Sequence, residues 1–130
     1  MKPETLIEYA IDAMGRAYAP YSGFTVGAAL LASDGAVYQG CNVENASFSP
    51  TICAERTAFA KAVSQGQREF VAIAVCGGKG GKIENLCTPC GVCRQVMAEF
   101  CGPDFQIYMA KPDGYEVRTL AQLLPDSFQL

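Results

Sequence analysis

Apolar residues at Leu6, Ile7, Ala10, Ile11, Met14, Ala17 and Tyr18 recur at helical spacing. They predict a first amphipathic helix whose exit is marked by Pro20 and Gly23. The apolar run Val26 to Leu31 predicts a buried strand, Asp34-Gly35 a hairpin turn, and Val37 to Val43 the antiparallel return. Ser49-Pro50 predicts the start of a second helix, with an apolar stripe at Ala58, Phe59, Ala62 and Val63 and an end at Gly66. The strand Phe70 to Cys76 is apolar throughout, which calls for cover on both faces. Pro89 opens a third helix, with Val92, Val96, Met97 and Phe100 on its apolar side and Gly102-Pro103 at its end. Phe105 to Ala110 reads as a fourth strand, Pro112-Asp113-Gly114 as a turn, Tyr115 to Thr119 as a fifth strand, and Leu120 to Leu124 as a last helical turn.

The order αββαβαββ, with helices between strands two, three and four, predicts an α/β fold. The expected form is a three-layer α/β/α arrangement around a mixed five-stranded sheet. At 130 residues, with neither an internal repeat nor a linker, the chain reads as a single domain over residues 1–130. Gly77-Gly78-Lys79-Gly80-Gly81-Lys82 lacks the Gly-Lys-Ser/Thr of a phosphate loop and is expected to be a mobile solvated loop.

Composition narrows the function. Hydrophobic residues make up 50% of the chain and charged residues 18%, which is the balance of a globular domain. Ten basic residues against 13 acidic give a net charge of −3, the wrong footprint for a protein that grips phosphates, so neither nucleic acid nor an anionic membrane is expected as a partner. Glu4, Glu8, Asp12 and Arg16 interrupt the amino-terminal segment, and no membrane span can be drawn there or later. Seven cysteines and no histidine exclude every histidine-based mechanism. The odd count, without a secretion signal, favours free thiols in a cytoplasmic protein, hence metal binding or thiol chemistry.

Pro89-Cys90-Gly91-Val92-Cys93 sets two thiols three residues apart at a helix start, where the positive end of the helix favours thiolates. Redox dithiols, structural zinc and iron–sulfur clusters share this pattern. Cys53, in Cys53-Ala54-Glu55, supplies a third ligand at another helix start. Residues two apart on a helix point roughly opposite ways, so Cys53 and Glu55 reach one ion only if it lies off the helix end. Two helix amino termini aimed at one metal, with three thiolates and an open fourth position, describe a catalytic zinc. Glu55 falls on the stripe of Ala58, Phe59 and Ala62, so its carboxyl is expected to be buried. The available roles are general acid–base or a salt bridge to Arg56 or Arg94, and the first is favoured because no histidine is present. Three thiolates leave the site negative, and Arg56 is the candidate charge-compensating residue. Asn42 and Glu44 alternate on one face at a strand end, where open α/β sheets place ligand groups, although solvated polar residues also occur there.

Cys53-Ala54-Glu55 followed by Pro89-Cys90-x-x-Cys93 resembles the cytidine deaminase family, in its compact all-cysteine branch. The likeness extends to Ala19-Pro20-Tyr21-Ser22-Gly23-Phe24, Val26-Gly27-Ala28-Ala29-Leu30, Asn42-Val43-Glu44-Asn45-Ala46 and Leu123-Leu124-Pro125. The resemblance implies hydrolytic deamination of cytidine and deoxycytidine to uridine and deoxyuridine in pyrimidine salvage, with one Zn²⁺ per chain. Glu55 would carry the proton of a metal-activated water to the ring nitrogen and then to the departing ammonia. It implies further that Asn42 and Glu44 hydrogen-bond the ribose, that Phe24 stacks beside the base, and that Ala46, Phe48 and Ala54 line the substrate. Phe128 would reach the site of a neighbouring subunit in a homotetramer whose sites lie at subunit interfaces. Phe48 stands where many relatives carry tyrosine, which removes a bridging hydroxyl.

Three rivals stay open from the residues alone. Cys87, Cys90 and Cys93 suggest an iron–sulfur carrier, although Met97 stands where a fourth cysteine is expected. A structural zinc could take Cys87 or Cys101 as its fourth ligand. A deaminase of the same fold could act on an aminopyrimidine nucleoside antibiotic or on guanine.

Overall fold

A computed structural model describes residues 1–130 of the chain. Its elements run α1 (Pro3–Met14), β1 (Phe24–Ala32), β2 (Val37–Cys41), α2 (Ala54–Ser64), β3 (Phe70–Lys79), α3 (Gly91–Phe100), β4 (Gln106–Lys111), β5 (Gly114–Thr119) and α4 (Leu120–Leu123). The five strands form one sheet in the order β2-β1-β3-β4-β5. Only β3 and β4, joined through α3, run parallel, and the other pairs are antiparallel. This is the expected mixed sheet.

Strand alternation divides the core into two layers. On one face, Leu6, Ile7, Ala10 and Met14 of α1 pack on Ala29, Ala72, Ala74, Cys76 and Ala110. On the other, Ala58, Phe59 and Ala62 of α2 and Cys93 and Met97 of α3 pack on Ala28, Leu30, Ile73, Val75, Ile107 and Met109. Phe59 anchors this second layer, with ring centroids 5.2 Å from Phe70 and 6.0 Å from Phe100. Each helix layer presses on the sheet at a glycine. A Cβ on Gly27 would collide with the backbone of Ala10 and Met14, and one on Gly40 with the backbone of Ala54 and Ala58. Gly40 therefore sets how closely the start of α2 approaches the sheet.

Two expectations are corrected. The second helix begins at Ala54, not at Ser49-Pro50. Ile52 pairs with Val43 in an antiparallel bridge, and this tertiary pairing holds the segment extended until Cys53. The glycine-rich stretch is not a solvated loop along its length. Gly77, Gly78 and Lys79 continue β3 opposite Val26, Thr25 and Phe24, and the two glycines are buried. A Cβ at Gly77 would press on the Cys87 thiol, the Phe24 ring and Val26, so the missing side chain is what lets the strand continue there. Only residues 80–82 turn, and the Gly80 amide bonds the Gly23 carbonyl.

Candidate metal centre and active site

Cys53 is the N-cap of α2 and Cys90 the N-cap of α3, with Cys93 three residues further on. Neither N-cap cysteine makes a side-chain capping bond, so both sulfurs are left free to face one another. Cys53 Sγ lies 3.7 Å from Cys90 Sγ, which lies 3.4 Å from Cys93 Sγ, and the three sulfurs all fall within 4.8 Å of one another. Sulfurs at tetrahedral corners about 2.3 Å from a zinc ion stand roughly 3.8 Å apart, so the trio fits that ion with little adjustment. The ion's place lies off two helix amino termini, as the spacing demands, and both helix dipoles favour the thiolate form there.

The electrostatics follow from the clustering. Pairing with the Cys93 thiol and with Arg56 pulls Cys53 below the ordinary thiol range, and the same pairing, with burial, pushes Cys93 above it. Arg56 Nη2 reaches Cys53 Sγ at 3.7 Å and the Thr51 carbonyl at 3.4 Å. Its Nε is buried and has no hydrogen-bond partner, and no carboxylate pairs with the guanidinium, which is left to face the thiols. A half-buried cation beside the thiols fits a site built to hold excess negative charge.

Glu55, in the first turn of α2, is 4% exposed and forms no ion pair with Arg56 or with Arg94. Burial, with the Cys53 charge nearby, pushes its carboxyl up to about 7, against smaller opposing pulls from its own backbone N–H, Cys93 and Arg56. Arg94 is engaged elsewhere, donating to the Pro89 and Leu123 carbonyls. Neither Cys87 nor Cys101 belongs to the metal cluster, and burial pushes both thiols up to about 12, the state of a packed apolar side chain. The iron–sulfur reading and the four-cysteine structural zinc thus lack their fourth ligand.

The other sequence-predicted residues surround this centre unevenly. Ala54 is buried at the first position of α2. Asn42, at the end of β2, is buried and completes the ladder of β1, its Oδ1 accepting from Val26 N and its Nδ2 donating to Phe24 O, both at 2.8 Å. Glu44 Oε1 accepts from the backbone N–H groups of Tyr21 and Ser22, and its Oε2 accepts from the Ser22 hydroxyl. A cleft of about 400 Å³ is lined by Tyr21, Ser22, Glu44, Phe48 and Thr51. Thr51 stands two residues from Cys53, which joins the cleft to the metal centre along the chain. Phe48 is 72% exposed with a φ of 61°, and its ring meets Tyr21 edge-on at 6.3 Å. A bulky side chain in that backbone region is strained, and such strain gathers at ligand sites. Phe24 stands exposed at the start of β1, Ala46 is exposed in the β2–α2 loop, and Phe128 is exposed in the tail, away from the cleft of its own chain. Tyr21, Ser22 and Thr51 are cleft residues that sequence reasoning did not single out. Nothing in the spacing announces that Glu44 folds back on Tyr21 and Ser22, or that Thr51 Oγ1 accepts from the Asn45 amide.

Residues 1–109 match the family model for the cytidine and deoxycytidylate deaminase zinc-binding region. The chain belongs to this deaminase family. It is 51% identical over 129 residues to a cytidine deaminase of Sporosarcina psychrophila, covering 98% of this chain and 92% of that protein. Its fold matches the crystal structure of cytidine deaminase from Burkholderia pseudomallei with a TM-score of 0.91 and 46% identity, over 98% and 100% of the two chains. The corresponding structure from Mycobacterium tuberculosis matches with a TM-score of 0.85 and 41% identity, over 100% and 99%. Within this family, three convergent thiols and a zinc-binding region point to one Zn²⁺ per chain.

Proposed function

We propose that the protein hydrolyses cytidine and deoxycytidine to uridine and deoxyuridine, releasing ammonia. The observation that carries this reading is Glu55, a carboxyl shut away from solvent, without an ion-pair partner, beside three thiols that converge on one point. Cytidine deaminases among the relatives support the choice of base and sugar.

Cys53, Cys90 and Cys93 would hold the zinc. A zinc ion held there would supply Lewis acidity and would make water a better nucleophile near neutral pH. Glu55 moves the protons. Its carboxylate takes one from the attacking water, gives it to the ring nitrogen beside the amino-bearing carbon, and then carries the next to the departing amine. One C–O bond forms and one C–N bond breaks, so cytidine and water become uridine and ammonia. A carboxyl poised near neutral pH suits both the taking and the giving of a proton. Arg56 offsets the negative charge of three thiolates, which would otherwise blunt the metal's acidity.

On the substrate side, Glu44 and Asn42 take the ribose hydroxyls, while Phe24, Ala46, Phe48 and Ala54 frame the base. Asn42 keeps one amide hydrogen and one carbonyl lone pair beyond its bonds to β1, so it can bind a hydroxyl without releasing the strand. Phe128 serves a neighbouring subunit's site in a homotetramer, a reading supported by its exposure and by the exposed Phe48 and Val92. Seven free thiols suit a reducing cytoplasm, where the reaction would feed pyrimidine salvage. No helix is long and apolar enough to cross a membrane.

Zinc content and ammonia release from cytidine, measured for wild type and Glu55→Gln, test the scheme. Both proteins should carry one zinc, and the variant should lose on the order of 10²–10⁴-fold in kcat. A fully active variant would refute it. Arg56→Ala should keep its zinc and shift the pH–rate profile upward by about one unit, because the site becomes more negative. An unchanged profile at unchanged zinc content would remove Arg56 from the account.

A further inference from the structure

The thiols of α3 hang from a backbone that another side chain holds. Pro89, immediately before Cys90, is fully buried, so its carbonyl has no water to bond and needs a partner in the protein. Arg94, one residue after Cys93, turns back and donates from Nε to the Pro89 carbonyl at 2.8 Å. The same guanidinium donates from Nη1 to the Leu123 carbonyl at 2.7 Å, at the half-buried end of α4. The next residue, Gln95, donates from Nε2 to the Phe128 carbonyl at 3.0 Å. The turn of helix that presents Cys90 and Cys93 is thus fastened at its entry and tied to the last residues of the chain.

We infer that Arg94 is a positioning residue for the metal centre, holding the Cys90 backbone in ligating geometry by gripping the Pro89 and Leu123 carbonyls with one rigid fork. Its guanidinium has the shape for this, because several donors lie fixed in one plane, whereas a lysine ammonium on a flexible stem serves one carbonyl at the expense of the other. Groups that orient metal ligands typically contribute about 10–100-fold to metal affinity. The inference rests on the assignment of zinc to Cys53, Cys90 and Cys93.

Zinc affinity, measured by competition with a chromophoric chelator on wild type, Arg94→Met and Arg94→Lys, tests it without recourse to activity. Arg94→Met should bind zinc about 10–100-fold more weakly. Arg94→Lys should fall between that variant and wild type. A purely structural role would lower the melting temperature of zinc-loaded and zinc-stripped protein alike and leave the affinity unchanged. Wild-type affinity in Arg94→Met overturns the inference. Should that variant fail to fold, wild-type affinity in Arg94→Lys overturns it equally. A wild-type chain that holds no zinc overturns the metal assignment and this inference with it, whereas a zinc-loaded wild type with undiminished variants overturns this inference alone.

Discussion

The start of α4 and the starts of α2 and α3 solve the same problem in opposite ways. At α4 the loose backbone donors are met locally, with Thr119 Oγ1 accepting from Gln122 N and Gln122 Oε1 accepting from Thr119 N in a full capping box. At α2 and α3 the capping residue is a cysteine whose sulfur makes no capping bond. Serine, threonine, aspartate or asparagine would stabilise those ends. Their absence leaves two sulfurs and two helix dipoles directed at one point outside both helices. The closed start of α4 serves the fold, and the open starts of α2 and α3 face a ligand.

Replacing the cysteine caps breaks this contrast most severely. Cys53→Ser and Cys90→Ser each supply a proper N-cap while removing a thiolate from the trio. Stripped of metal, these variants should be more stable than the wild type by roughly 0.5–1 kcal/mol. Their zinc binding should collapse and ammonia release should fall to background. Denaturant titration of the stripped proteins, beside zinc titration, reads both effects. A serine variant that is less stable without metal would mean that the cysteines are structural after all.

Glu55 sharpens the same contrast, since an acidic residue in the first turn of a helix ordinarily stabilises it, yet this one is buried. Its folded-state pKa of about 7 lies above the ordinary 4.5, so the folded protein holds the proton more tightly than the unfolded chain. The contribution of this carboxyl to the stability of the metal-free protein is therefore fully present below pH 4.5, declines from there to pH 7, and is gone above. The displacement amounts to roughly 3 kcal/mol. Glu55→Gln lacks this dependence, so above pH 7 the inactive variant should be the more stable of the two by about that amount. Parallel pH–stability curves for the two stripped proteins would show that the carboxyl is not held at the expense of the fold.

These open helix starts were legible because their signals are local. Cys90 and Cys93 sit on one turn, and Glu55 shares a stripe with Ala58 and Ala62, so spacing alone predicts convergence and burial. The order of strands and helices was legible for the same reason. What escaped was set by distant partners. Ile52 pairs with Val43 and delays α2 beyond Pro50. Gly77 and Gly78 read as a loop by composition, but β1 supplies their partners from about 50 residues away, and burial there requires small residues. The two carbonyls held by Arg94 lie five and 29 residues away from it, and no periodicity relates them.

The smallest expected effect comes from opening the closed start. Thr119→Ala removes the acceptor for Gln122 N and should cost about 1 kcal/mol, the usual range being about 0.5–2. Leu120 stays buried and its amide stays bonded to the Phe105 carbonyl, so α4 keeps its seat on the core. Ammonia release by the zinc-loaded variant should accordingly match wild type at temperatures where both are folded. The measurement is a denaturation midpoint paired with kcat. A fall in kcat without a matching fall in stability would show that the capped end of α4 also shapes the site, and the division between closed and open helix starts would fail.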